Sequence, residues 1–263
     1  MINNSNRMHR QTGFSLVELL VVIGIVIILM GLLFPVMRKM HASGQRAFCA
    51  NNLRQLYRAN IMYADENGGF VPAASDMWGS ENNHRWHGSR ESGNDPFDDS
   101  KGPLSPYLGK DGRITHCPAF SGAVKSTSKH AFESNCGGYG YNVGVGSLIS
   151  ILGNGSQAMK EGMNPADLQH PANTVMFADC ALSQPYGSKP KYLIEYSFAE
   201  PYYHFGTRSQ PYPSIHFRHN GLANVVWCDG HVSSEKMTHS SAKHFKKFNL
   251  GWFGPADNSL FVP

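Results

Sequence analysis

Charge is scarce in this chain. Asp, Glu, Lys and Arg make up 16% of 263 residues, and the formal net charge is only +4. Arg7 and Arg10 supply two of the positive charges near the start, and the remainder is nearly balanced, which leaves no basic patch to bind nucleic acid. The five cysteines, at 49, 117, 136, 180 and 228, never fall at Cys-x-x-Cys spacing, which excludes a zinc ribbon or a thioredoxin motif. Gly-x-Ser-x-Gly, His-Glu-x-x-His and the P-loop are all missing, so the common hydrolase and nucleotidase signatures are excluded. Long apolar runs are also missing, with one exception near the N-terminus, and the mean hydropathy is −0.33. Gly (27), Pro (15) and 11% aromatics are what is plentiful, a mixture suited to a loop-rich β domain rather than a helical bundle.

The exception is residues 14–34, FSLVELLVVIGIVIILMGLLF, which follow a polar, slightly basic stretch at 1–13 and contain a single charge, Glu18. At about 1.5 Å per residue the run is long enough to cross a hydrocarbon core of roughly 30 Å. The basic flank places the N-terminus in the cytoplasm and the rest of the chain outside. A cleaved secretory signal would have a shorter apolar region and a small-x-small site behind it, whereas here a basic stretch comes first. A plain anchor explains the hydrophobicity but not Glu18, because an intramembrane carboxylate is costly unless paired and is functional by default.

Gly13-Phe14-Ser15-Leu16-Val17-Glu18, followed by Leu19-Leu20-Val21-Val22-Ile23-Gly24-Ile25, resembles the type III signal of prepilins, the precursors of type IV pilins and type II secretion pseudopilins. The resemblance implies that a prepilin peptidase cuts after Gly13 and methylates the new amine of Phe14. It further implies that Glu18 pairs with the N-terminal ammonium of a neighbouring subunit, removing two isolated charges at once. Pro35 falls where many pilins carry a helix-bending proline. The implied partners are the peptidase, other pilin-like subunits in a homo- or hetero-polymer, an inner-membrane assembly platform and the membrane itself. The implied location is the inner membrane, single-pass, with the head on the periplasmic side.

Beyond Pro35 the chain stays helical but becomes amphipathic. Phe48, Leu53, Leu56, Tyr57, Asn60, Ile61, Tyr63 and Ala64 approximate a 3.6-residue stripe, with Arg38, Lys39, Arg46, Arg54 and Arg58 on the other face. Asn67-Gly68-Gly69 ends it, which gives a helix of about 80 Å. The expected organisation is a leader at 1–13, a membrane part at 14–34, a stem at 35–66 and a β-rich head at 67–263.

In the head, 70–110 has no clear period and reads as a long loop with one short strand near Trp86. Asp95, Asp98 and Asp99 cluster there and make a calcium candidate; the spacing is not that of an EF-hand, and a solvated acidic loop is the favoured explanation. Residues 113–118 (RITHCP) read as a short strand, Cys136–Asn142 as a glycine-rich strand or turn with stacked tyrosines, 173–179 as a buried strand and 183–213 as an insertion loop. Residues 214–219 and 222–228 flank Asn220-Gly221, a hairpin signal, and a turn at Asp229-Gly230 leads to a third strand, completing a meander. An oxidising compartment would permit disulfides. Cys117 with Cys136 and Cys180 with Cys228 are the first pairings to test, leaving Cys49 unpaired.

His219, nine intervening residues and Asp229-Gly230 resemble the His-x9-Asp-Gly signature of a group of prepilin-type processing-associated proteins, as do Cys117-Pro118 and the Gly-Tyr-Gly-Tyr-Asn run. Asp229-Gly230 is also explained as a tight turn, and His219 as a side chain bonding a carbonyl or Asp229 across the hairpin, with a metal or catalytic role as the less favoured reading. Two other functions remain to be weighed. A membrane-tethered hydrolase requires a deep pocket with clustered His, Asp and Cys; Cys228 and His231 flank a turn but have no second pair. A glycan-binding head requires Trp78, Trp86, Tyr202, Tyr203 and Tyr212 on one exposed platform. The expected fold is α+β and pilin-like, one long N-terminal helix packed on a small antiparallel sheet with long loops, in a structural subunit without enzymatic function or cofactor.

Overall fold

The computed structural model describes residues 15–77, 81–93, 95–109, 111–120, 133–184 and 191–263, with Pro35 and Arg38 as backbone only. The leader, Gly13, Phe14 and Trp78 lie outside the described residues. Two compact units divide the chain, Met1–His41 and Ala42–Pro263.

Helix α1, Leu16–Asn67, begins in the first unit and continues as the first element of the second. Its start is closed reciprocally: the Ser15 N–H donates to Glu18 Oε2 (2.8 Å) and the Glu18 N–H to Ser15 Oγ (3.2 Å). This capping box satisfies donors that a helix start otherwise leaves unpaired. Every large apolar side chain from Leu16 to Phe34 is exposed, and the helix is long and apolar enough to cross a membrane. In hydrocarbon a helix satisfies all of its backbone polar groups internally, so the abundance of β-branched Val and Ile does not oppose it.

Within the second unit the character of α1 changes. Cys49, Asn52, Leu53, Leu56, Ala59, Asn60 and Ala64 are buried, at the i, i+3, i+4, i+7 spacing of a single face. Leu53 and Leu56 each contribute about 2 kcal/mol by burial. The stripe predicted from the sequence is largely this face, but Phe48 is half exposed and Cys49 and Asn52 take its place. The helix ends at Asn67, where the Gly68 N–H bonds Ala64 O (2.8 Å).

The head follows as β1 (His84–Arg85), β2 (Gly88–Ser89), β3 (Tyr139–Asn142), α2 (Ile149–Leu152), β4 (Val175–Asp179), β5 (Leu182–Gln184), β6 (Tyr192–Ile194), β7 (Phe198–Ala199), β8 (Ile215–His216), β9 (Leu222–Trp227), β10 (Val232–Lys236), α3 (Lys243–Lys247) and β11 (Leu250–Gly251). One five-stranded sheet dominates, in the order β10-β9-β4-β3-β7. Its first four strands are antiparallel neighbours, and β7 adds to β3 in parallel. All of β4 is buried, as its short apolar run predicts. Below it the Trp86, Tyr141 and Phe177 rings pack together, the last two stacked at 4.4 Å. The α+β, pilin-like architecture expected from the sequence is therefore present.

Three local expectations are corrected. Residues 113–117 form no strand; their backbone lies against α1, where Asn52 Nδ2 bonds Thr115 O (3.0 Å). The supposed insertion loop at 183–213 contains β6 and β7, the latter an edge of the main sheet. The Asn220-Gly221 turn forms with both residues at positive φ (56° and 82°), which this tight turn requires. Yet only His219 and Leu222 pair across it, because β8 pairs with β11 instead of β9.

Candidate functional site

Two places gather the residues that carry chemistry. The first is the start of α1. Glu18 is exposed there and bound only within its own chain, through the capping box with Ser15. Pro35 lies inside the helix. Gly13 and Phe14 fall outside the described residues, so the bond expected to be cut has no described geometry.

The second place is buried in the head. Cys49 on α1, Cys117 in the segment after Ile114, Asp179 at the end of β4 and Arg218-His219 before the β9 turn converge there, all nearly or fully buried. His219 Nε2 lies 3.8 Å from Cys117 Sγ and 3.2 Å from Asp179 Oδ2. Arg218 Nη2 bonds Asp179 Oδ1 (3.0 Å) and the Asn224 N–H bonds Oδ2 (2.7 Å). The ligand atoms of Cys49, Cys117 and His219 all lie within 4.8 Å of one another, and no other group of three such residues is close enough to hold an ion among the described residues.

The electrostatics follow from these contacts. The hydrogen bond from the Cys49 thiol holds the Cys117 thiol well below its usual range, against burial and with help from His219 and Arg218. The same contact, together with burial, pushes Cys49 up. Burial opposes charge on His219, but its bonds to Asp179 and Cys117 prevail and lift it to about 9. Burial likewise opposes charge on Asp179, but the Arg218 guanidinium, His219 and the Asn224 N–H together outweigh it and hold the carboxyl low.

This arrangement corrects two expectations. All five cysteines are buried free thiols, so neither the Cys117–Cys136 nor the Cys180–Cys228 bond is formed; the partner brought to Cys117 is Cys49, set aside as unpaired in the sequence. His219 contacts Asp179 rather than Asp229, and Asp229 turns instead to its own loop, accepting the His231 N–H (3.0 Å) with the His231 ring 2.6 Å away. That ring stacks on Trp227 (5.4 Å between centroids), and Cys228 is buried. Gly230 has φ +89°, and a Cβ there would come within 2.5 Å of the Tyr57 ring of α1. The Asp-Gly turn is thus the place where the head accepts the stem.

The calcium candidate is dispersed. Asp98 accepts the Ser100 N–H (3.1 Å) and hydroxyl (2.6 Å) and faces Lys101 (3.6 Å), while Asp99 faces Arg113 (3.8 Å). The glycan platform is also divided: Trp86 is fully buried with its Nε1–H donating to Ser197 O (2.7 Å), and Tyr202 and Tyr203 are partly buried. A cleft of about 800 Å³ is lined by Tyr202, Phe217, Lys236, His239 and Lys246, and one of about 410 Å³ by Tyr196, Phe198, Glu200 and His204. Neither lining includes the Cys–His–Asp cluster.

Residues 8–34 match the family model of the prokaryotic N-terminal methylation motif. The match supports a prepilin-type cleavage and methylation segment, and with the α+β head it points to a pilin-like structural subunit anchored by its apolar helix. No curated protein matches the chain, and no solved structure does.

Proposed function

We propose that this chain is a structural subunit of a type II secretion pseudopilus or a related type IV-like filament. In this reading a prepilin peptidase removes residues 1–13 and methylates Phe14. The mature chain is then held in the inner membrane by α1, with its N-terminus cytoplasmic and its head periplasmic, until an assembly platform adds it to other pilin-like subunits. The methylation motif at 8–34, which includes the exposed apolar start of α1 from Leu16 to Phe34, is the observation that carries this reading. Exposed apolar surface of that extent requires lipid or neighbouring helices to cover it.

The test is the intact mass of the membrane-extracted protein from cells with and without the peptidase. Loss of residues 1–13 plus one methyl group, only when the peptidase is present, is the expected result. An unprocessed chain in both strains refutes it. Glu18 is examined by two substitutions. Glu18→Gln keeps an acceptor for the Ser15 N–H but removes the charge, whereas Glu18→Val removes both. If the carboxylate pairs with a neighbour's ammonium, both variants are processed and both fail to assemble or do so out of register. Normal filaments from Glu18→Gln assign the residue to capping alone.

A further inference from the structure

We propose that Cys49, Cys117 and His219, with the Asp179 carboxylate beside them, form a buried binding site for one divalent cation of the zinc class, which ties the stem helix to the head. This inference is independent of the filament reading, and the failure of either leaves the other standing.

The donor set comes first. Two sulfurs and an imidazole are the ligands of borderline-soft divalent ions, and carboxylate completes many such sites. Geometry comes second. Bond lengths of about 2.3 Å to sulfur and about 2.0 Å to nitrogen or oxygen, at a tetrahedral angle, put S and N about 3.6 Å apart and N and O about 3.3 Å apart. Cys117 Sγ and Asp179 Oδ2 stand 3.8 Å and 3.2 Å from His219 Nε2. The Cys49 and Cys117 sulfurs and the His219 ring nitrogen stand within 4.8 Å of one another, within reach of one shared cation, and Asp179 lies beside the nitrogen that faces Cys117.

Charge comes third. Binding is written as a divalent ion entering while two protons leave to water, one from the Cys49 thiol and one from the hydrogen-bonded Cys117–His219 pair, so that both sulfurs bind as thiolates and His219 as a neutral donor, without oxidation. Two thiolates and Asp179 then carry three negative charges, and the cation and Arg218 carry three positive ones. The buried group ends neutral, as burial demands. A monovalent or trivalent ion would leave a net charge. The three donors and Asp179 are all buried, so no position opens to substrate, and the site is structural. The donors come from α1, the 111–117 segment and the turn before β9, elements that no disulfide joins.

The experiment is a cobalt(II) titration of the reduced full-length chain in detergent, read by the visible bands of tetrahedral cobalt and by thiolate-to-cobalt charge transfer. The expected result is saturation at one equivalent, displacement by zinc, loss of the signal in Cys117→Ser and its retention in Cys136→Ser. Chelation should lower the thermal midpoint, and zinc should restore it. Because the parent chain alone gives the decisive reading, a variant that fails to fold leaves the test intact. The absence of tetrahedral bands in a chain with five titratable thiols overturns the proposal. So does a Cys49–Cys117 disulfide whose reduction is followed by no cobalt uptake.

Discussion

Gly230 shows how a single residue links two distant parts of the chain. Its φ of +89° is costly for any residue with a Cβ, and that Cβ would collide with Tyr57. Gly230→Ala therefore carries two penalties, and a loss on the order of 3 kcal/mol is expected in denaturant unfolding of the full chain in detergent. Tyr57→Ala removes the collision but not the backbone strain, so the double variant should lose less than the sum of the two singles. Strict additivity would show that the ring does not press on the turn. The Asp-Gly turn was legible in the sequence, but the reason for its glycine was not, because Tyr57 is on another element. The same holds for the buried cluster. Cys49, Cys117, Asp179 and His219 lie far apart along the chain and produce no spacing motif, and Cys49 sits on a helix face where a small apolar-like residue is unremarkable. What the sequence did carry was the methylation motif at 8–34, since its residues are consecutive.

Elements were legible in proportion to how local their causes are. The 52-residue α1 has its period, its cap and its stop within its own sequence. β4 and β9 declare themselves by apolar runs between turns. The parallel edge strand β7 and the pairing of β8 with β11 depend on partners far along the chain, so no local pattern announced them. The stem's phase was misplaced at Phe48 because its buried face includes Asn52, which a hydrophobic pattern discounts, beside Asn60, which the stripe already held. Both bond to tyrosines of β3. Asn52 Nδ2 donates to Tyr139 Oη (2.9 Å), and Asn60 Nδ2 to Tyr141 Oη (3.0 Å), while Asn60 Oδ1 accepts the Val71 N–H (2.8 Å). Asn60→Ala leaves the Val71 N–H and one tyrosine oxygen unpaired in the core, a loss on the order of 3 kcal/mol. Tyr141→Phe removes only one partner and should cost about 1 kcal/mol. Equal losses in chemical denaturation would contradict the assignment of the Val71 bond as the larger share.

The head as a whole holds carboxylates of opposite temper, and this sets its response to pH. Asp76 is held low: burial works against its charge, but the backbone N–H groups of Asn83 and His84 and the His84 ring prevail. Its stabilising contribution is present above the unfolded carboxyl range of about 3.9 and is lost as pH falls through the folded value below it. Glu200 is pushed up by burial, although the Tyr196 hydroxyl donates to it (2.6 Å). A raised acid is at its least costly below about 4.3, where it is protonated in both states, and its penalty grows as pH rises through the folded value. Glu200→Gln keeps an acceptor for Tyr196 and removes the charge. It is therefore expected to match the parent in strong acid and to become the more stable of the two as pH rises toward neutrality. Asp76→Asn should behave in the opposite way, equal to the parent in strong acid and weaker at neutral pH. Thermal midpoints of the full chain across this range decide the matter. If Glu200→Gln proves less stable than the parent at neutral pH, the ionised carboxylate is supported by a partner stronger than Tyr196, and the cleft beside Phe198 and His204 becomes the place to look for it.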